Sequence, residues 1–174
     1  MKQPKEAAVL VPIYRLDNGE IIVVFVRRTE GDIHGGQIAF PGGKKSTSDK
    51  TLRETALREG YEEIGLPPEN VQIIRQLSNI YVSVSNFEIT PFLGKIQKPF
   101  NWKLSENEIA EIIEVPAKIL TDQNLHGFET MNFPHREKSR QMPFIRIGSY
   151  KLWGATHRIL ELILTELKEE SLPL

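Results

Sequence analysis

The sequence contains no cysteine among its 174 residues. Without thiols the chain has no disulfide framework, no thiolate metal site and no cysteine nucleophile. Histidine is also scarce, with 4 residues, and His126, His135 and His157 are not spaced as a zinc-binding set. These absences exclude thiol chemistry and argue against a zinc centre.

The chain also lacks an excess of charge of one sign and any long apolar run. Its 22 Lys and Arg residues nearly balance 23 Asp and Glu residues, and the net charge of -1 gives no reason to expect nucleic-acid or membrane-surface binding. No run approaches the ~20 apolar residues of a transmembrane helix, and the first apolar stretches are too short for a signal sequence. We expect a cytoplasmic protein with a single domain over residues 1–174. A homodimer is compatible with these features.

Much of the chain has the pattern of β-strands. Residues 7–14 and 21–26 are β-branched or aromatic and flank a turn sequence at 17–19, which predicts a hairpin. A glycine-rich loop follows, interrupted by a brief strand at 37–40. Further strands are predicted at 71–77, 80–85, 87–96 and 111–116. Within them, Pro91 is expected at a sheet edge or a bulge.

The last third of the chain is less regular. Residues 121–143 are polar and without a clear period, so they are interpreted as a long excursion. From about 154 to 167 apolar residues recur at helical spacing, which predicts a closing amphipathic helix. The overall pattern is α/β of the α+β type, with a middle built largely from strands.

A helix is predicted in the segment TLRETALREGYEEIGL at 51–66. Ser48 or Asp49 is the expected N-cap, and Gly65 followed by two prolines marks the end. Two sets recur at helical spacing: the apolar residues Leu57, Tyr61 and Ile64, and the acidic residues Glu59, Glu62 and Glu63. We expect the apolar set to pack and the acidic set, on the opposite side, to be available for chemistry.

The acidic set has two interpretations. It is a solvated helix face, with Arg58 offsetting part of the repulsion between like charges. Alternatively it binds a divalent cation such as Mg²⁺, which prefers oxygen ligands and is held by carboxylates together with substrate phosphates. The context favours the cation site, because Gly42 and Gly43 shortly precede the helix and let the backbone approach a ligand closely.

These residues resemble the box of the Nudix hydrolase family, which runs Gly, a spacer, Arg-Glu, two residues, Glu-Glu, one residue, Gly and an aliphatic residue. The matching residues are Gly43, Arg58, Glu59, Glu62, Glu63, Gly65 and Leu66. The spacer is one residue longer than in the commonest form, Asp49 is the nearest match to an acid early in the box, and Gly60 replaces an aliphatic residue. The resemblance implies the Nudix fold, a mixed β-sheet core sandwiched between helices.

Nearly the whole chain is similar to the coenzyme A pyrophosphatase branch of this family. The similar segments include HGGQIAFPGGK, FEITPFLGKI, EIIEVPAKIL and LWGATHRILELIL, in that order. In the signature before the box, Arg27 and Gly36 match the branch. Phe25, Arg28 and Asp32 stand where the branch has Thr, Ser and Arg.

The resemblance implies hydrolysis of a nucleoside diphosphate derivative by water with Mg²⁺ or Mn²⁺. From coenzyme A the products would be adenosine 3',5'-bisphosphate and 4'-phosphopantetheine. The implied metal ligands are Glu59, Glu62, Glu63 and the Gly42 carbonyl, with one of the glutamates as an alternative general base. Arg58 would orient the glutamates.

Binding of such an anionic small molecule needs cations besides the metal. The nearest are Arg27, Arg28 and His34, and Gly43 completes the predicted substrate-binding set. Glu106 and Glu108 precede a predicted strand. They are interpreted either as surface acids or as a base that reaches the site from a loop.

Three other functions share this fold. A Nudix pyrophosphatase for ADP-ribose, a nucleotide sugar, NADH, a dinucleoside polyphosphate or a nucleoside triphosphate would differ only in its loops. A non-catalytic nucleotide-binding module is disfavoured by the intact Glu59, Glu62 and Glu63. The isomerase of isopentenyl diphosphate relies on a catalytic cysteine and is excluded by the composition.

Overall fold

The structure, a computed structural model, describes residues 3–30, 35–97, 101–131 and 139–174. Its large sheet comprises β1 (Lys5–Arg15), β2 (Ile21–Arg28), β3 (Ile38–Ala39), β4 (Gly42–Lys44), β5 (Val71–Gln76), β6 (Ile80–Val82), β7 (Phe87–Ile96) and β8 (Ile109–Pro116). The main path runs β3-β2-β1-β7-β5, with β4 beside β1, β6 beside β7 and β8 beside β2. The predicted mixed sheet is confirmed.

The first two strands form the predicted hairpin. Ile13 of β1 lies opposite Val23 of β2 in an antiparallel pair. The turn places Gly19 at a φ of 89°, a conformation that glycine adopts readily. On its other side β1 runs parallel to β7. β1 is therefore an interior strand, and burial on both faces accounts for its nearly continuous apolar run.

Pro91 lies inside the sheet, so the expectation of an edge position is wrong. Its strand pairs with β1 on one side and with β5 and β6 on the other. The register puts Phe92 opposite Gln76 of β5 and Ile89 opposite Ile80 of β6. Pro91 thus lies where β5 has ended and β6 has not begun, and its missing N–H interrupts no continuous ladder on that side.

The predicted helix is α1 (Leu52–Ile64), and Gly65 ends it in the left-handed conformation, as expected. Its N-cap is Thr51, whose hydroxyl accepts a hydrogen bond from a backbone N–H in the first turn at 3.1 Å. The assignment of Ser48 or Asp49 as the cap is therefore wrong. Both precede the cap in the loop that leads into the helix.

The buried side of α1 also differs from the expected one. Tyr61 is 57% exposed, whereas Glu63 is 2% exposed. A side chain on Gly60 would approach Leu10 of β1 to 3.2 Å, so the glycine lets the helix lie close to the sheet along this line. The packing face consequently runs through Gly60 and Ile64 and includes an acid. The prediction that the apolar set packs and the acidic set faces outwards is wrong for Tyr61 and Glu63.

The segment interpreted as an excursion contributes to a second sheet. After α2 (Ala117–Thr121) come β9 (His126–Met131), β10 (Arg140–Ile147) and β11 (Tyr150–Trp153), which pair in the order β11-β10-β9. Polar residues on β9 and the start of β10 hide the strand pattern from a sequence reading. The excursion interpretation is wrong for this described part, while residues 132–138 lie outside the described residues.

The closing helix is divided in two. α3 (Gly154–Glu161) and α4 (Leu164–Lys168) are separated at Ile163, which has a φ of -123° and a ψ of 0°. Both helices bury apolar residues, such as Leu160 and Leu167, so the predicted apolar face is present without a continuous helix. Within the described ranges, no helix is long and apolar enough to cross a membrane.

Each face of the large sheet carries its own apolar core. On the α1 face lie residues such as Leu10, Val24, Val26 and Ile64. On the other face, residues such as Val23, Phe25, Ile145 and Leu160 join the sheet to the second sheet and the C-terminal helices. Side chains along β2 alternate between the two cores, as expected for a strand. The sheet core between helices is confirmed.

A buried histidine lies in α3. His157 is 4% exposed, and its Nδ1 is 3.7 Å from a carboxylate oxygen of Glu161, without a hydrogen bond among the described residues. Burial lowers the pKa of His157, the charge of Glu161 raises it, and the proximity of His126 lowers it. The net direction is down, so the native structure favours the neutral ring.

As the pH decreases from about 7 to about 5, we expect the free energy of unfolding of wild type to fall relative to that of His157→Gln, which lacks the titrating ring. A histidine whose native pKa lies below its usual value of 6.5 stabilises the protein above that pH. That contribution is lost as the pH falls, because the unfolded chain then binds the proton more readily. Urea titrations across this range measure the slope. Equal slopes for the two proteins would contradict the assignment.

Candidate functional site

A short glycine strand brings the backbone against the acidic helix. β4 consists of Gly42, Gly43 and Lys44 and pairs with β1. A Cβ on Gly42 would lie 2.5 Å from the Ala8 carbonyl oxygen, and one on Gly43 would lie 2.6 Å from the Glu59 carboxyl carbon. At Gly42 the neighbour is backbone of β1, so this position requires glycine. At Gly43 a side chain would displace the Glu59 carboxylate from its present position.

Glu63 is a buried carboxylate between α1 and β4. The Gly42 N–H donates to its Oε2 at 3.0 Å, and Arg28 Nη1 lies 3.5 Å from its Oε1. Burial raises the pKa of Glu63 to about 7, although the Gly42 hydrogen bond and the Arg28 charge oppose this rise. At neutral pH the carboxyl group is close to its titration midpoint, so either a proton or a nearby cation would stabilise it.

Arg58 is held by an ion pair with the buried Asp49. Its Nε and Nη2 each lie 3.0 Å from an oxygen of that carboxylate. The Ser46 N–H and the Thr55 hydroxyl donate to the same group at 2.9 Å. Arg58 is the first cause that lowers the pKa of Asp49 to about 2. Nη2 also donates to the Lys44 carbonyl at 3.0 Å, so one edge of the guanidinium is fixed by the loop before the helix.

The other edge of the guanidinium holds two of the acids. Arg58 Nη1 donates to Glu59 Oε1 and to Glu62 Oε2, each at 2.8 Å. The Glu62 side chain is 53% exposed, whereas that of Glu59 is 14% exposed. Burial is the main cause that raises the pKa of Glu59. The structure thus brings Arg58 together with both glutamates, while the catalytic roles of the three residues stay a prediction.

The predicted metal ligands gather on one helix but are not arranged as a closed cage. Over the described ranges, no three acidic or histidine side chains converge closely enough to hold an ion. Glu59 and Glu62 are turned to Arg58, and Glu63 is turned to the Gly42 amide. The donor set still fits Mg²⁺ or Mn²⁺, because all its donors are hard oxygens. Burial raises the pKa of Glu59 and Glu63 because it destabilises their charged forms, and a bound cation would stabilise those charged forms.

The two arginines at the end of β2 lie on opposite faces of the large sheet. Arg28 reaches the acidic helix. Arg27 Nε donates to Glu111 Oε2 at 3.2 Å, and its guanidinium carbon lies 5.6 Å from the ring centre of Tyr150. Of the two, the structure brings only Arg28 to the carboxylates. The third predicted cation, His34, lies outside the described residues.

A loop acid from later in the chain lies within electrostatic range of the helix. The charge of Glu108 contributes to the raised pKa of both Glu59 and Glu63. The Ser105 N–H donates to the Glu63 carbonyl at 3.0 Å and ties this loop to the end of α1. Both loop acids considered from the sequence are exposed, and of the two Glu108 acts electrostatically on the helix glutamates.

Two features of the site were missed or undervalued by sequence reasoning. From the sequence, Asp49 was considered as an N-cap and as the nearest match to an acid early in the box, and that position in the box was the available signal for its ion pair with Arg58. No local sequence pattern could have predicted the contacts of Arg27 with Glu111 and Tyr150, because the three residues come from strands far apart in the chain.

The chain is similar to known proteins. A family model described as the NUDIX domain matches residues 4–129. A Pectobacterium atrosepticum protein named Uncharacterized Nudix hydrolase NudL is 41% identical over 116 residues, which are 66% of this chain and 58% of that protein. This match therefore spans less than two thirds of the relative. The Salmonella paratyphi B protein of the same name is 33% identical over 157 residues, 90% of this chain and 79% of that protein.

The fold is shared with solved structures. A MutT/nudix family protein from Enterococcus faecalis superimposes with a TM-score of 0.60 over 97% of this chain and 64% of that chain, at 15% identity. Identity this low supports the fold alone.

Asp49→Asn should lower the free energy of unfolding by about 2–3 kcal/mol, because it breaks an ion pair with a buried carboxylate. This loss of stability is smaller than that for breaking a fully buried ion pair, since the Arg58 side chain is 26% exposed. Urea denaturation at neutral pH measures it. Glu69→Gln, at an exposed acid with the same change of charge, is the matched control. A loss no larger than in this control would contradict the anchoring role of Asp49.

Glu63→Gln should stabilise the metal-free protein at alkaline pH. The carboxyl pKa rises from 4.5 to about 7 on folding, so the stability that Glu63 contributes is complete below pH 4.5 and is lost as the pH rises through 7. As the pH rises, the difference in the free energy of unfolding between variant and wild type should grow to about 3 kcal/mol at most. Urea denaturation in a chelator at about pH 5 and about pH 8 tests this. A gap that does not change with pH would disprove the shifted pKa.

Proposed function

Because this chain belongs to the Nudix hydrolase family, we propose that it cleaves the diphosphate of coenzyme A or a coenzyme A derivative. The reaction class is that of the family, hydrolysis of a diphosphate bond in a nucleotide derivative. The products would be adenosine 3',5'-bisphosphate and 4'-phosphopantetheine. The observation that carries the reaction is the arrangement of the three α1 glutamates: Glu63 accepts from Gly42 of β4, and Glu59 and Glu62 accept from Arg58. The choice of coenzyme A is supported by the resemblance of the chain to that branch of the family.

The residues fit a divalent metal as cofactor. Glu59, Glu62 and Glu63 would hold Mg²⁺ or Mn²⁺, with the Gly42 carbonyl as a further donor. Bound there, the ion would neutralise the diphosphate and lower the pKa of the attacking water. Gly43 presents bare backbone beside Glu59, which supports its assignment to substrate binding.

The attacking water needs a carboxylate to accept its proton. Burial raises the pKa of Glu63 to about 7, a value suited to proton transfer near neutral pH, and burial also raises the pKa of Glu59. We assign the general base to one of the helix glutamates. Glu108, which acts electrostatically on both, is the alternative from the loop.

Cations beside the metal would bind the rest of the substrate. Arg28, whose Nη1 lies 3.5 Å from Glu63, would bind the scissile diphosphate. Arg27 would bind a different part of the molecule, because it lies on the other face of β2. His34 remains a candidate from the sequence. With a net charge of -1, the protein must hold an anionic substrate through such local charges.

The cellular context follows from the same features. We propose a cytoplasmic enzyme whose partner is a small nucleotide diphosphate, without nucleic-acid or membrane partners. The balanced charge supports this assignment. A homodimer is compatible with it.

Purified protein incubated with Mg²⁺ and coenzyme A should release 4'-phosphopantetheine, identified by mass spectrometry. Glu62→Gln and Glu63→Gln should each lower kcat/KM by about 100-fold or more, since each removes a charge that is needed in the transition state. Glu69→Gln, an exposed acid outside the site, should keep wild-type turnover.

A panel with ADP-ribose, NADH, a nucleotide sugar and a dinucleoside polyphosphate tests the substrate. If the protein cleaves one of these compounds but not coenzyme A, diphosphate hydrolysis is retained as the reaction and the proposed substrate is overturned. Full turnover in both Glu62→Gln and Glu63→Gln would overturn the site.

A further inference from the structure

A cluster of three residues joins the end of β2 to the second sheet. Arg27 Nε donates to Glu111 Oε2 at 3.2 Å, and the Tyr150 hydroxyl donates to the same oxygen at 2.9 Å. The guanidinium carbon of Arg27 lies 5.6 Å from the centre of the Tyr150 ring. One carboxylate therefore orients both the arginine and the aromatic ring beside it.

This cluster lies across β2 from the acidic helix. Successive side chains of a strand point to opposite faces, and the contacts follow this rule. Arg28 approaches Glu63 of α1, whereas Arg27 contacts Tyr150, which packs on the core of the opposite face. Arg27 is thus directed away from the carboxylates that we assign to the scissile diphosphate.

The cluster is accessible from solvent and contributes little to stability. The Arg27 side chain is 23% exposed and that of Glu111 is 44% exposed, and ion pairs with this access to water contribute little to stability. Arg27 Nη1 lies 3.8 Å from the exposed Glu30, beyond hydrogen-bonding distance. A guanidinium that is already ordered loses little entropy when its N–H groups bind a phosphate.

We propose that Tyr150 positions Arg27 to bind a phosphate of the substrate other than the scissile diphosphate, and so selects nucleotides that carry one. This inference rests on the proposed function. Tyr150 belongs to β11, beyond residues 4–129 that the family model matches. Selectivity would therefore come from the C-terminal part of the chain, while the shared domain supplies the reaction.

Two substrates that differ by a single remote phosphate, coenzyme A and 3'-dephospho-coenzyme A, test this role. Tyr150→Leu should raise KM for coenzyme A about fivefold or more and leave KM for the dephospho compound unchanged. Its kcat on both should stay within about twofold, because the reacting groups are untouched. Tyr150→Phe keeps the ring beside Arg27 and should restore most of the discrimination.

A double-mutant cycle separates positioning from general packing. Arg27→Lys should reduce the discrimination between the two substrates as Tyr150→Leu does, and the double variant should lose little more, since both changes remove one interaction. Tyr81→Leu, at a tyrosine of β6 that is 48% exposed, is the matched control and should behave as wild type.

The outcomes distinguish the two proposals. If wild type cleaves both compounds and Tyr150→Leu changes neither KM, or changes both equally, the positioning role is overturned and the proposed function stands. Additive losses in the cycle would also overturn it. If wild type cleaves no nucleotide of the panel, or only nucleotides without a further phosphate, the recognition role falls together with the proposed substrate.

Discussion

The candidate site depends on the position of one guanidinium. Arg58 is bonded along one edge to the buried Asp49 and along the other to Glu59 and Glu62. A guanidinium is rigid and planar, so fixing one edge sets the direction of the other. The loop that precedes α1 therefore determines where two carboxylates of the helix point. Asp49 acts through this chain of contacts without any need to touch a substrate itself.

The third glutamate is buried at a cost to stability. Glu63 is buried against β4, and its hydrogen bond from Gly42 and the nearby Arg28 compensate only part of the loss of water. A buried carboxylate in this state destabilises the native protein unless a positive charge joins it. Local rules of stability are commonly broken at functional sites, and Glu63 breaks one within the matched family domain.

The large sheet separates the residues of the two proposals. On one face α1 and Arg28 gather the groups assigned to the diphosphate. On the other face the second sheet brings Tyr150 to Arg27, and both donate to Glu111. Arg27 and Arg28 thus lie in different surroundings because successive side chains of a strand alternate between its faces. The family match includes both arginines and ends before Tyr150.

By itself the sequence determined the hairpin, the positions of strands such as β5 and β7, the end of α1 at Gly65 and the spacing of its three glutamates. Turns, helix ends and periodicity depend on residues near one another in the chain. Only the tertiary structure decided that Glu63 is buried and Tyr61 exposed, since the rotation of α1 follows from the contact of Gly60 with a distant strand. The same holds for the partners of Arg27. Their contact brings together strands that are remote in sequence, and no local pattern specifies such a pairing.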